Sequence, residues 1–382
     1  MAYNVKTGVI GVAIMPRAGG ERQSLEELLY EVVQQALRDA GLTIEDIDGI
    51  VVAANDQYDG RAISVMAASG SVGGVDRDIL STPSAGEHAF VMGTLRVASG
   101  QFRTQLVVAW SPTEAGSLSE VQRLAADPYF HRRLPLDEMA AHAMQANALL
   151  ATMPNLKAMA ERVTAKNRSN GAAAYPDLAG APNAPRAPWP LQPGAAPVTG
   201  AVALVLASEE FVGERSARVA WVSGMGWATE PAFLGDRDLT TAPALEAAAR
   251  QAYAEAGVTN PLETFDVAEV ADATPYQELL AYEGLGLSPR AGWERHVAEG
   301  TFGPGGKLPV NLSGGAISLN PVYCTGLIRI AEIARQLLGR AGPHQRETAA
   351  TGLAHAASGD AMQYNTVVVL RRGEGSSQGA AQ

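Results

Sequence analysis

One cysteine, Cys324, stands in a chain of 382 residues, so no intrachain disulfide can close and no cysteine-based metal site can be built. Long apolar runs are missing too: none approaches the roughly 18 residues that a membrane-spanning helix needs. The apolar run Val9–Met15 is strand-length, is followed by Pro16-Arg17, and shows no signal-peptide cleavage pattern. Positive charge is scarce. Lys and Arg number 29 against 40 Asp and Glu, and the formal net charge of −11 argues against a nucleic-acid-binding surface. Charged residues make up 18% and hydrophobic ones 47%, a globular rather than a disordered balance. These absences leave a cytoplasmic enzyme, with no membrane and no nucleic-acid partner, as the expectation.

At 382 residues the chain exceeds the usual size of one hydrophobic core, so two fused halves are expected. Ser24-Leu25-Glu26-Glu27 has the capping-box pattern, and the helix behind it, ended by Gly41, buries Leu25, Leu28, Leu29, Val32, Val33, Ala36 and Leu37. A connection leads to Gly49–Ala54, an apolar run typical of a strand covered on both faces. The same order returns later. A helix from about Leu245 to Ala256 has Pro243 near its start and Gly257 at its end, and a connection leads to Phe265–Val270. Each half opens with a strand, Val9–Met15 and Arg218–Met225. Each is expected to close with one after a long helix, Gln105–Trp110 and Asn365–Leu370. The pattern predicts duplication of one α/β unit.

Residues 112–197 interrupt the repeat. Helical patterns at Leu136–Thr152 and Leu156–Asn167 precede a loop, Ala172–Pro197, that holds seven prolines. The resulting division is 1–111 for the first part of the N-terminal half, 112–197 for an inserted segment covering the substrate, 198–216 for the end of that half, 217–372 for the C-terminal half, and 373–382 for a disordered Gly/Ser/Gln-rich tail.

The most informative stretch is Leu308–Leu338. Asn311-Leu312-Ser313-Gly314-Gly315 is a glycine turn that lets backbone approach a ligand. Thr325–Leu338 reads as a helix, with Leu327, Ile330, Ile333, Ala334 and Leu337 at spacings of three and four and Gly339 as its stop. The loop Asn320–Thr325 delivers polar groups to that helix's N-terminus. This stretch resembles the thiolase superfamily, in its sterol-carrier-protein-2-like branch, through Asn311, Ser313, Gly314, Gly315, Pro321, Thr325, Gly326, Glu332, Gln336, Leu337 and Gly339. The inserted piece Lys166-Asn167-Arg168-Ser169-Asn170-Gly171 resembles the family as well. The resemblance implies a thiolase-like α/β fold, with duplicated α-β-α-β-α layers and an inserted loop domain, a homodimeric core and an acyl-CoA substrate.

The family's reactive residues do not carry over. Its nucleophilic cysteine aligns with Pro83, in Ser81–Gly86 ahead of a helix Gly86–Ser99. Asn320 stands where the family has Gly-His, and His355–Asn365 replaces a cysteine-bearing loop. Acyl-enzyme chemistry through those groups is therefore excluded. In their place stand Tyr323 and Tyr364, one in each loop. A phenol can donate or take a proton, so the pair suits retro-aldol cleavage of a β-hydroxyacyl thioester, with Asn320 and the Gly314-Gly315 backbone as enolate donors. His355 and His88 are the next candidates for general base. Ser84, Ser313, Gly314, Gly315 and His88 are expected around the substrate and CoA. Asp272 matches an acidic family position or serves as a turn carboxylate, and Cys324 reads as a small buried hydrophobe.

The constellation resembles the thiolase-like aldolases of bacterial steroid side-chain degradation, which implies release of propionyl-CoA from a hydroxylated steroid CoA thioester and a partner carrying a Zn-ribbon and an OB-fold. No cofactor or metal is expected beyond the CoA thioester substrate. Two other classes stay open: a non-catalytic acyl-CoA-binding scaffold subunit, and an acyltransferase acting through Ser84.

Overall fold

Short apolar runs bounded by turn residues become strands covered on both faces. The computed structural model describes residues 5–17, 23–60, 62–83, 85–111, 118–129, 131–178, 189–191, 198–215 and 218–374. Its strands are β1 (Thr7–Arg17), β2 (Gly49–Ala53), β3 (Asp78–Thr82), β4 (Thr104–Ser111), β5 (Thr199–Ser208), β6 (Arg218–Thr229), β7 (Val267–Glu269), β8 (Thr351–Ser358) and β9 (Tyr364–Glu374). They join in the order β3-β2-β4-β5-β1-β6-β9-β8-β7. That order is two copies facing each other across a short β1–β6 seam, where only Gly8–Trp221 and Val9–Ala220 pair. Outward from the seam, β1-β5-β4-β2-β3 is matched by β6-β9-β8-β7, and the outermost place in the second copy is held by a single parallel bridge from Ala268 to Val310.

The duplication reaches into local detail. β1 and β6 each shift register, between Val9 and Gly11 and between Val222 and Gly224. At each shift a glycine lies under an outer helix. A Cβ on Gly11 would stand 2.5 Å from the Ala36 carbonyl oxygen, and one on Gly224 2.1 Å from that of Ala252. Glycine is required at both by close backbone approach.

Five layers result. The outer helix Leu25–Ala40 packs with Ile10, Ile50, Val52 and Val205 on one face of the first wing. Two central helices, Gly86–Ala98 and Thr325–Leu338, share a core with Val51, Val107 and Leu204 of the first wing and Val267, Val368 and Leu370 of the second. The outer helices Pro243–Ala256 and Pro275–Gly284 pack with Leu353, Val367 and Val369 on the far face. Val51 and Val52, or Val368 and Val369, thus face opposite layers, as the two-residue period of a strand requires. This is the duplicated α/β architecture the thiolase resemblance implies. Among the described residues no helix is long and apolar enough to cross a membrane.

Several sequence expectations need correction. The strand after the long helix of the second half is β8, the counterpart of β4 in the first half. Asn365–Leu370 belongs to β9, the counterpart of β5, so each half closes on an antiparallel strand beside its opening one. His355 and the small residues of β8 dilute its apolar signal, so its sequence resembles a loop. The helix begun at Leu156 runs on to Ala174, and β9 extends through Glu374, so Gly373 and Glu374 are not tail; residues 375–382 lie outside the described residues.

Candidate active site

In open α/β sheets, ligand-binding loops gather beyond the carboxyl ends of parallel strands. Here the segments after β2, β7 and β8 meet with the start of the second central helix. They enclose a cavity of about 610 Å³, walled on its remaining side by the inserted helices Leu118–Ala125 and Glu138–Leu150.

Tyr323 enters this cavity from a backbone at φ 69°, a left-handed conformation uncommon for a bulky side chain. What holds it there is the join between the central helices. The Gly86 N–H donates to the Tyr323 carbonyl at 3.0 Å. A Cβ on Gly86 would lie 2.7 Å from the Leu327 Cβ, so glycine is what lets the two helix starts approach. The Tyr323 ring tilts against Tyr58 with centroids 4.1 Å apart. Its buried hydroxyl faces Tyr58 and Gln122, and burial, then Tyr58 and Glu138, push its pKa far up.

Tyr364 opens β9 on the same cavity and is 38% exposed, its ring meeting His88 edge-on at 5.9 Å. The loop before it also has left-handed backbone, at Gly359, Ala361 and Met362. Arg237 clamps that loop by donating to the carbonyls of Asp360 at 2.7 Å and Ala361 at 2.5 Å. Non-glycine residues in this region cost about 1–2 kcal/mol each, and such strain concentrates at functional loops.

The structure therefore brings together Tyr323, Tyr364 and Asn320, which all line one cavity. It separates the others. His355 is fully buried on β8, faces the Asn365 side-chain oxygen at 3.1 Å, and is held at a pKa of about 4 by burial; it is a neutral interior group and not a base for substrate. Ser313 donates to Glu269 at 2.7 Å, inside the core. The Gly314 and Gly315 N–H groups are taken by Asn311 and Ser313, so they are not free enolate donors. These glycines serve packing instead: a Cβ on Gly314 would strike Gly171, and one on Gly315 would strike Asp272. His88 is half-buried behind Tyr364 and does not line the cavity. Ser84 lies outside the described residues. Cys324 is buried with its thiol against the Gly200 carbonyl at 3.8 Å, and burial raises its pKa well above the usual value.

The Lys166–Gly171 piece clamps the glycine turn from the inserted segment. Asn170 donates to the Asn311 carbonyl at 2.9 Å and Lys166 to that of Val310 at 2.8 Å. Asn167 donates to Asp272 at 2.8 Å and to Glu278 at 2.6 Å. Asp272 also accepts from the Ala316 N–H at 2.6 Å; it lines the cavity, and burial raises its pKa against the pull of Arg329. It is a turn carboxylate in the site wall.

Sequence reasoning missed Tyr58, Gln122, Glu138 and Asp360, all of which line the cavity. Tyr58 was findable, because Asn55–Gly60 directly follows a parallel strand. Glu138 was not, since nothing in Leu136–Thr152 marks which face of that helix looks inward. Gln122 donates to Glu138 at 2.6 Å, and burial, with Asp360 and other neighbours, raises the Glu138 pKa to about 7.

Residues 226–372 match the family described as thiolase C-terminal domain-like. Over 163 residues, 41% of this chain, the sequence is 36% identical to human sterol carrier protein 2, of which the match spans 29%. An acetyl-CoA acetyltransferase of Methanothermobacter thermautotrophicus is 33% identical over 158 residues, 41% of each chain. The matches thus span less than half the length of these relatives. In fold the chain is similar to the solved Ltp2-ChsH2(DUF35) aldolase, with a TM-score of 0.76 at 19% identity, covering 97% of this chain and 99% of that one.

Proposed function

We propose, since this chain belongs to the thiolase superfamily and is of the sterol-carrier-protein-2-like kind, that it is a carbon–carbon lyase without the thiolase cysteines. Its reaction is the retro-aldol cleavage of a β-hydroxyacyl-CoA into a ketone and a shorter acyl-CoA. The observation that carries the reading is that Tyr323 and Tyr364 line one cavity, at the two loops where the family keeps its histidine and its second cysteine. One phenol side takes the proton of the β-hydroxyl, whose O–H electron pair becomes the ketone C=O. The Cα–Cβ pair moves onto the thioester as an enolate, and the other phenol protonates its α-carbon. Asn320 is the side-chain donor at hand for the enolate oxygen, now that the glycine-turn N–H groups are engaged.

The cavity wall bears on how CoA enters. Asp127, Asp137, Glu138, Asp272 and Asp360 line it, and its Arg329 is paired with Glu269 at 2.9 Å. A wall of this sign repels phosphates, so the acyl group and thioester fill the cavity while the CoA phosphates stay outside it. A steroid side-chain thioester that releases propionyl-CoA is the substrate we assign. The working unit is a cytoplasmic homodimeric core joined by a Zn-ribbon/OB-fold partner. The two-part name of the Ltp2-ChsH2(DUF35) aldolase supports a partner of some kind.

The test is incubation with branched 3-hydroxyacyl-CoA thioesters, 3-hydroxy-3-methylbutyryl-CoA and a hydroxysteroid CoA thioester, with ketone and acyl-CoA products read by mass spectrometry. Tyr323→Phe and Tyr364→Phe should each lower turnover by about 10²–10⁴-fold while CoA-thioester binding persists. Wild-type rates in both variants would end the phenol mechanism. Absence of cleavage with every thioester would favour an acyl-CoA-binding scaffold subunit. The acetyltransferase relative favours a second reading, acyl transfer. That reading has only Ser84 as nucleophile, and it requires an acyl-serine adduct detectable in the intact protein.

A further inference from the structure

A chain of buried hydrogen bonds runs from the loop before β9 to the cavity, and its direction is fixed at one end. The Ala361 carbonyl can only accept, so the Gln145 side chain turns its NH2 to it, at 3.4 Å. That leaves the Gln145 oxygen as an acceptor, filled by the Gln277 NH2 at 3.1 Å. The same NH2 lies 3.1 Å from His142 Nδ1, and with two hydrogens to give it makes Nδ1 an acceptor. The imidazole proton therefore sits on Nε2. All three side chains are buried, which shields this order from solvent.

His142 belongs to the inserted helix Glu138–Leu150 and lines the cavity. Its Nε2 is 3.8 Å from a Glu138 carboxylate oxygen, beyond hydrogen-bond length, so the N–H is not spent on it. Burial holds the ring at a pKa of about 4, and Asp137, which pulls the other way, does not offset this. The ring is thus a neutral donor with one tautomer. We infer that His142 is a further catalytic residue, whose Nε2–H donates to the thioester oxygen of the acyl group in the cavity, with Gln277 and Gln145 as positioning residues that hold its tautomer. The inference rests on the lyase reading above and adds a donor to the one that reading assigns, Asn320. The thioester oxygen is the atom on which charge grows as the Cα–Cβ bond breaks, and so the one that gains most from a preset donor. No bond is made or broken at His142, and its proton stays on Nε2 throughout.

Two variants separate the two ring nitrogens. His142→Asn can put an amide oxygen where Nδ1 accepts from Gln277, but nothing where Nε2 stands. His142→Gln can put an amide N–H at the Nε2 position and leaves Gln277 without its acceptor. His142→Asn should therefore be the more stable and the less active, with kcat lowered about 10²-fold and KM nearly unchanged. His142→Gln should recover about tenfold of that loss despite its lower stability. If His142→Asn keeps wild-type kcat while Tyr323→Phe is inactive, His142 is structural, the inference is overturned and the lyase reading stands. Histidine-selective nitrogen-15 NMR at about pH 7 reads the tautomer without substrate. His142 should show a protonated Nε2 and a bare Nδ1; an Nδ1–H tautomer or an imidazolium overturns the inference. Gln277→Met should let both tautomers appear, and an unchanged spectrum would remove Gln277 from its positioning role. If the wild type binds 3-hydroxy-3-methylbutyryl-CoA yet cleaves no thioester, the lyase mechanism falls alone. The Nε2–H resonance should still shift on binding, and one that stays put at saturation overturns the donor role. If neither that thioester nor the hydroxysteroid CoA thioester binds, the acyl cavity and the inference fall together.

Discussion

The two wings of the sheet share strand order, bulges and glycines, yet their central helices are filled differently. Gly86–Ala98 buries the apolar Ala89, Phe90, Val91 and Val97, and its one buried charge, Glu87, pairs with no cation among the described residues. Thr325–Leu338 buries Leu327, Ile330, Ile333 and Leu337 and also encloses an ion-paired Arg329 and Glu332. Arg329 pairs with Glu269 at 2.9 Å, and Glu332 accepts from His344 at 2.8 Å and from the Tyr175 hydroxyl. The difference teaches where a duplicated fold keeps its scaffold and where it diverges. Apolar packing is common to both wings. The buried polar network belongs to the second, beside the glycine turn and the loop that presents Tyr323.

The comparison breaks most sharply at Arg329. Its removal leaves Glu269, 1% exposed, without its cation inside the protein. Arg329→Met should therefore destabilise by about 3–5 kcal/mol, read as a lowered midpoint in chemical denaturation. If the wings were energetically alike, an apolar residue at Arg329 would be as well tolerated as Phe90 is in the first wing. A change below about 1 kcal/mol would mean that the ion pair is no more than filler.

Next in size is His355, the polar intruder in β8 where the first wing's β4 is apolar from Leu106 to Trp110. Burial lowers its pKa from 6.5 to about 4. The unfolded chain therefore binds more protons between these values, so the stabilisation is whole above about pH 6.5 and is lost as pH falls through about 4. That is about 3 kcal/mol across the window. His355→Asn should flatten this part of the stability curve, with turnover kept within a few-fold. His142, also held at about 4, leaves a residual slope of the same sign. An unchanged curve, or a loss of turnover as large as in the tyrosine variants, would restore His355 as a site residue.

What the sequence made legible follows the range of each interaction. The capping box at Ser24, the stops at Gly41, Gly257 and Gly339, and the apolar strands β1, β2 and β6 are set by neighbours within a few residues. Tyr323 and Tyr364 were legible because they break a family pattern at two known loops. Illegible was whatever depends on distant partners. His355 looked catalytic until Asn365 and its burial appeared, and the glycine-turn N–H groups looked free until Asn311 and Ser313 took them. Glu138 had no signal, because its neighbours Tyr58 and Asp360 lie some 80 and 222 residues away in sequence.

The smallest effect separates the wings at the helix starts. In Leu25–Ala40 the N-cap Ser24 accepts from the Glu27 N–H at 3.1 Å, and the Glu27 carboxylate accepts from the Ser24 N–H at 2.9 Å. The equivalent helix Pro243–Ala256 has Ala242 at its cap and no side-chain cap bond; the Glu230 carboxylate reaches in from the end of β6 to accept from the Ala244 N–H at 2.7 Å. One wing caps its helix locally, the other through tertiary structure. Ser24→Ala removes an exposed local bond and should cost about 1 kcal/mol, with unfolding still a single transition. Ser24→Gly should cost only a few tenths, because glycine keeps the extended cap backbone and lets water reach the free N–H groups. Equal losses in the two variants would show that the Ser24 side chain contributes no capping and that the two helix starts are held alike, by packing.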